Sequence, residues 1–214
     1  MKKLLIYLSS DGLINTMEFV FKVIISFFYY KSETVCIYAK RNALNHVHKE
    51  QWKDFDCKYY NNAEDVRHLN FERLKLLPYE KWFEEGSLLC VLFSGGMPIA
   101  FGWSHFHYHN IKHVGHFDLG NDIAWIGPQF VHEKYRGLGL QKMIVQNSIQ
   151  SLPDNIKNVI TSVNGSNLPS IHSFESLQFH KGIKVFSTSG IFSKNSKAIE
   201  IIDSSSLNYL RITI

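Results

Sequence analysis

The chain has 214 residues, 45% hydrophobic and 14% aromatic, enough to bury one sizeable core and to exclude intrinsic disorder. Its formal charge of +4 is a mild lysine excess with no dense Lys/Arg stripe. That balance suits an anionic ligand, or simply a solvated surface, and excludes a nucleic-acid footprint. Cys36, Cys57 and Cys90 are far apart and form no C-x-x-C pair, which excludes a disulfide framework or zinc knuckle and fits a reducing cytoplasm.

The opening stretch, MKKLLIYLSSDGLINTMEFVFKVIISFFYY, is apolar. It is not expected to span a membrane, which takes roughly 20 uninterrupted apolar residues; Ser9, Ser10, Asp11, Glu18 and Lys22 break it. A signal peptide is not expected either, because no small-residue cleavage pattern follows. Leu4 to Leu8 reads as a short strand. Asp11 then caps a helix carrying Met17, Val20, Phe21, Ile24 and Ile25, a core or partner surface for which weak membrane-surface contact stays open.

ETVCIYAK alternates as a strand does, so residues 1–45 read as a strand–helix–strand extension packed on a core domain of residues 46–214. NNAEDVRHLNFERLKLLP is expected to be helical on its Val66, Leu69, Leu74 and Leu77 spacing, and PYEKWFEEG to form a second short helix between Pro78 and Gly86. Two apolar runs flank Ser94-Gly95-Gly96, a strong hairpin signal. A histidine-rich strand or loop follows, in which His105, His107 and His109 alternate and are expected to share a face with Trp103.

NDIAWIGPQFV reads as a strand buried on both faces, with a bulge at Gly127-Pro128. A helix with Leu140, Met143, Ile144 and Leu152 on its buried side comes next, then the strand NVITSV, the short helix NLPSIHSFESL and a closing strand pair in HKGIKVFSTSGIFS. The order predicts a mixed α/β or α+β domain.

Between the central strand and its helix lies HEKYRGLGLQK. Helix N-termini present unpaired N–H groups and a partial positive charge, and Gly137 and Gly139 allow a ligand close approach. Arg136 adds a fixed charge. The segment is either an anion cradle or a helix start that needs flexible residues. No lysine followed by Ser or Thr comes after the second glycine, as a Walker loop requires, and Lys142 stands where a dinucleotide fingerprint needs glycine or alanine.

FVHEKYRGLGLQKMIV resembles the signature segment of the GNAT N-acetyltransferase superfamily: Gln or Arg, two residues, Gly, one residue, Gly or Ala. Arg136 opens it, Gly139 is its central glycine, and Gln141 departs from its last small position. NLPSIHSFESLQF resembles a second family segment, in which Asn167, Ser170 and Phe179 match in type, Phe174 replaces the usual tyrosine and Gln178 the usual glycine. The resemblance covers about residues 60 to 190. It implies a central, mostly antiparallel mixed sheet with helices on both faces and a splayed central strand pair that receives an acyl-coenzyme A, acetyl-CoA being the default donor.

By that resemblance Gln129, Phe130 and Val131 pair with the pantetheine arm, the amides of Gly137, Leu138, Gly139, Leu140, Gln141 and Lys142 hold the diphosphate with Arg136, and Asn167 touches the arm. The reaction implied is direct attack of an amine on the thioester, with a strand amide near Phe130 polarising the carbonyl. His107 and Asp122 are the candidate bases, and no metal site is expected, because H-x-H on one strand lacks a third ligand. A small-molecule primary amine, an amino sugar in preference to a polyamine, is the expected acceptor, with a protein amine as rival. A non-catalytic coenzyme A-binding module is the alternative, motivated by Phe174 and Gln178.

Overall fold

The computed structural model describes residues 30–44, 52–111, 115–190, 193–208 and 212–213, together with 17, 20 and 21. The expected strand at Leu4 to Leu8 and most of the helix after Asp11 lie outside these residues; Met17, Val20 and Phe21 are helical, and Met17 and Phe21 are exposed.

Among the described residues, nine strands form one sheet: β1 (Tyr30–Lys40), β2 (Asp56–Tyr60), β3 (Leu88–Ser94), β4 (Met97–Ile111), β5 (Gly115–Val131), β6 (Asn158–Asn164), β7 (His180–Gly190), β8 (Ser193–Ile201) and β9 (Ile212–Thr213). The spatial order is β2-β3-β4-β5-β6-β1-β7-β8, with β9 on the first part of β5. Every neighbouring pair is antiparallel except β5 and β6.

Tyr30–Lys40 lies inside the sheet rather than against it, between β6 and β7. Its sequence explains why: Val35, Ile37 and Ala39 bury toward one face while Cys36 and Tyr38 bury toward the other, so both faces of the strand are covered.

Among the described residues, four α-helices are placed on the sheet: α1 (Glu64–Arg67) and α2 (Tyr79–Glu84) on one face, α3 (Leu140–Gln150) and α4 (Leu168–Glu175) on the other. The expected long helix over residues 61–78 is instead a single turn, α1, followed by an irregular stretch and a 3-10 turn at Leu74–Leu76. Phe71 supplies the reason. On a continuous helix it would point away from the stripe of Val66, Leu74 and Leu77, whereas the broken chain buries it beside Val66, Leu74 and Phe101. The expected closing pair within residues 180–193 is one strand, β7, whose partner is Ser193–Ile201.

The hairpin at Gly95 and Gly96 forms as expected, with φ of 54° and 80°, the left-handed values a two-residue type I′ turn requires. On the other face α3 lies close over β4: a Cβ added to Gly102 would stand 2.3 Å from Ile144 Cγ2. Glycine at 102 sets how near the helix comes to the strand beside β5.

Candidate functional site

Parallel pairing of β5 with β6 is confined to Ile123–Trp125 against Asn158–Ile160. Past that point β5 stays with β4 to Val131 and β6 stays with β1 to Asn164, so the two central strands part. A bulge marks the parting. Gly102 faces Gln129 and Ser104 faces Ile126, leaving Trp103 opposite both Gly127 and Pro128. The Thr161 hydroxyl donates to the Ile126 carbonyl and closes the apex of the gap.

The N–H of His132 donates to the Ile99 carbonyl at 2.8 Å. Antiparallel bonding alternates from that pair, so Phe130 bonds toward β4 while the N–H and C=O of Gln129 and Val131 face the gap. Near Phe130, the amides that face the gap are therefore those of its two neighbours. Phe130 contributes its ring, which stacks on Phe101 at 5.8 Å.

The gap opens into a cavity of about 820 Å³, lined by the β5 edge, the glycine turn and the first turns of α3 and α4. Of the residues expected there, Gln129, Phe130, Val131, Arg136, Gly137, Gly139, Leu140, Gln141, Lys142 and Asn167 all line it. Leu138 stands at its margin, its carbonyl accepting the Trp52 indole N–H at 3.2 Å.

Gly137 and Gly139 have φ of 83° and 74°, and Gly139 is the N-cap of α3. These are left-handed values that favour glycine. Without a side chain, Gly139 offers no cap to the first N–H groups of α3, which keep their positive end toward the cavity. The Lys142 N–H already donates to the Gly139 carbonyl at 3.0 Å, so the amides left for an anion belong to the residues before it. Arg136 braces the strand end, its Nε donating to the Val131 carbonyl at 3.3 Å.

A polar bridge crosses the inner cavity. Gln141 Nε2 donates to Gln129 Oε1 at 3.2 Å and to Ser170 Oγ at 3.1 Å, tying α3 to β5 and α4. Gln129 Nε2 is buried with no hydrogen-bond partner. Asn167 caps α4 by accepting from the Ser170 N–H. Phe174 is 3% exposed, its ring against Phe179. Tyr135, Pro169, His172 and Ser173 also line the cavity, and Trp52 steadies its turn. Sequence reasoning had not singled these out, since their residue types carry no signal of their own. Spacing along α4 was the available clue: His172 and Ser173 lie within one turn of Pro169 and Ser170.

Neither candidate base lines this cavity. His107 is exposed, with φ of 68°, and faces Gly120, nine positions along β5 before Gln129. Irregular register on both sides of His107 takes it off the face shared by Trp103 and His105. Asp122 sits seven residues before Gln129, its carbonyl accepting the Lys157 N–H.

His105 and His109 instead belong to a closed column. Trp103, His105, His109 and Trp125 stack in turn at centroid distances of 6.0, 4.5 and 4.7 Å, and the Trp82 ring meets His105 edge-on at 4.8 Å. His105 Nδ1 shares a buried hydrogen bond with the Ser87 hydroxyl at 2.8 Å. Burial, then the neighbouring His109, pushes His105 down to about 3. Burial also pushes His109 down to about 4, against the pull of Glu85 and with help from His116. Both rings are neutral at pH 7. Among the described residues, no group of three or more His, Cys, Asp or Glu is placed to hold a metal, and no helix is long and apolar enough to cross a membrane.

No curated protein matches the chain. Among solved structures it resembles an acetyltransferase of the GNAT family from Novosphingobium aromaticivorans, with 15% identity and a TM-score of 0.52, over 74% of this chain and 63% of that one. It also resembles a GCN5-related N-acetyltransferase from Kribbella flavida, with 10% identity and a TM-score of 0.51, over 90% of this chain and 66% of that one. A conserved protein of unknown function from Staphylococcus epidermidis gives 12% identity and a TM-score of 0.51, over 79% and 65%. These likenesses concern the fold, and the chain spans just under two thirds of the length of each. A sequence profile of the acetyltransferase (GNAT) family matches residues 44–179, more than half of the chain, and covers the parting strands, the glycine turn and α4. The chain therefore belongs to the GNAT acetyltransferase family.

Proposed function

We propose that this chain is an acyl-coenzyme A-dependent N-acyltransferase that moves an acetyl group from acetyl-CoA to a primary amine of a small molecule, an amino sugar by preference. The observation that carries the reading is the cavity between β5 and β6, with a bare strand edge on one wall and an uncapped helix start on another. The residues fit the donor. Gln129 offers its N–H and C=O, and Val131 its N–H, to an extended arm with two amides, as a strand added to a sheet does, while the Val131 carbonyl is taken by Arg136. Amides from Gly137 to Gln141, the α3 dipole and the charge on Lys142 suit a diphosphate.

When bound, the thioester supplies an electrophilic carbonyl and a thiolate leaving group. The amine nitrogen bonds to the carbonyl carbon as the C–S bond breaks, and the strand edge polarises the carbonyl oxygen through an outward N–H. With His107 and Asp122 away from the cavity, deprotonation of the amine falls to water in the cleft. Phe174, at the family's tyrosine place, has no proton to give, so the thiolate leaves unprotonated or takes a proton from solvent; an ordinary thiol pKa of roughly 8.5 makes that tolerable. The preference for an amino sugar rests on the sequence reading alone, because Trp103 and Trp125 are buried with their faces already stacked on His105 and His109.

Titration calorimetry with acetyl-CoA and coenzyme A tests the reading, and absence of binding at millimolar ligand ends it. Free-thiol release across a panel of amino sugars, peptides with free N-termini and polyamines then identifies the acceptor. The buried Phe174 favours one second reading, a coenzyme A-binding module without catalysis. Tight binding with no thiol release from any amine would select it.

A further inference from the structure

On the far side of β4 from the cleft, two of the three cysteines meet. Cys57 lies on β2, the edge strand of the sheet, and Cys90 on β3 beside it. Tyr59 faces Cys90 and Cys57 faces Leu92, so the thiols lie diagonally on one face, with the sulfurs 3.3 Å apart. Cys90 is buried and Cys57 half-buried, packed with Trp52, Phe55 and Leu92. The third thiol, Cys36, is buried on another part of the sheet among Tyr38, Ile160 and Ile183.

The two sulfurs of the pair differ in character. The two thiols share a hydrogen bond that, aided by Tyr59, lowers Cys57 despite its burial, while Cys90 is raised by the same contact and by burial. Cys36, with burial only, is pushed up to about 12. A thiolate-prone sulfur on an edge strand, touching a second thiol, is the arrangement of an attacking and a resolving cysteine.

The geometry points to Cys57 and Cys90 as a reversible redox site that closes to a disulfide when the chain meets a hydroperoxide. The Cys57 thiolate attacks one oxygen of hydrogen peroxide, the O–O bond breaks, and hydroxide leaves, giving a sulfenic acid. The Cys90 sulfur then attacks the Cys57 sulfur, the S–O bond breaks, and the departing hydroxide takes the Cys90 proton and leaves as water. Two thiols are oxidised to one disulfide and one peroxide is reduced to two waters, counting the proton first lost by Cys57. A disulfide needs its sulfurs about 2.05 Å apart, so they must approach by roughly a further 1.3 Å, and the edge position of β2 leaves it a free side on which to adjust. This site is independent of the acyl-transfer reading.

The test treats the reduced full chain with equimolar hydrogen peroxide, unfolds it, alkylates free thiols and maps the peptides without reductant. The expected result is a mass lower by about 2 Da, alkylation of Cys36 only, a peptide joining Cys57 to Cys90 within one chain, and return of all three thiols after dithiothreitol. C36S should behave in the same way, while C57S and C90S should show no mass loss. Three alkylated thiols after peroxide, sulfinic acid at Cys57 without a crosslink, or a crosslink between chains would each overturn the assignment. Peptide mapping of the unmutated chain decides the matter even if a variant fails to fold.

Discussion

Strand β5 passes first through a closed column of rings and then, four residues on, along an open polar cleft. At Trp125 it stacks on His109, which stacks on His105; at Gln129 it borders the cavity. Each region keeps a buried side-chain nitrogen without a well-formed bond, His105 Nε2 in the column and Gln129 Nε2 in the cleft. Their surroundings differ. Packed rings surround the imidazole and hold it uncharged, whereas the carboxamide is held by Gln141 on a residue that borders the open cavity. The bulge at Gly127-Pro128 separates them, so a change of strand pairing, rather than residue type, divides packing from ligand access.

The column should reveal itself by acid sensitivity, the largest effect expected. Both rings have folded-state pKa values, about 3 and about 4, below the usual 6.5 of histidine. Between these values and 6.5 the unfolded chain binds protons that the folded chain does not, so this contribution is complete above pH 6.5 and is lost as pH falls toward 4. The loss amounts to roughly 2–3 kcal/mol per ring by pH 4.5. Urea unfolding between pH 7 and 4.5 measures it, and His109→Phe, which keeps a ring in the stack, should flatten the slope by about half. A slope unchanged by that substitution would mean the column is not neutral, and the contrast with the cleft would fail.

Gly102 tests the cleft from behind. It faces Gln129 across the bulge, and a Cβ there would stand 2.3 Å from Ile144 Cγ2 in α3. Gly102→Ala should cost about 1–3 kcal/mol in thermal or urea unfolding, the usual penalty for overpacking. It should also weaken coenzyme A binding, because α3 carries the uncapped N–H groups. Gly165→Ala, whose Cβ would first meet the flexible Glu33 side chain, should cost much less. Gly139→Ala comes next. Its φ of 74° should cost roughly 1–2 kcal/mol, with a coenzyme A affinity at least tenfold lower by calorimetry. Full affinity in that variant would remove the glycine turn from the binding site.

Much of this comparison was legible in the sequence, for reasons that can be given residue by residue. Gly95-Gly96, Gly137 and Gly139 need left-handed backbone that few other residues adopt, so their composition announced a hairpin and an open turn. The unbroken apolar run from Ile123 marked a strand covered on both faces. The placement of His107 was not legible, because alternation assumes a regular strand, and β4 and β5 slip register beside His107. The helix expected through Phe71 failed for a related reason: tertiary burial of one aromatic ring outweighed a helical spacing that omitted it. Trp52 and Ser173 reach the site by folding rather than by motif, and a single sequence carries no mark of that.

The smallest effect is the most discriminating. Gln141 stands where the family pattern has a small residue, and its side chain bridges Gln129 and Ser170. Gln141→Ala removes bonds worth about 0.5–1.5 kcal/mol each, but their partners border an 820 Å³ cavity where water can replace them. The stability loss should therefore stay below about 1 kcal/mol. Backbone N–H groups survive the substitution and the inner cavity widens, so coenzyme A affinity should hold within about threefold, or improve, since the net worth of such bonds is small. A tenfold loss would assign the ligand contact to the Gln141 carboxamide. The cleft would then resemble the column, a place where packed side chains decide, and the main-chain account of the glycine turn would have to be abandoned.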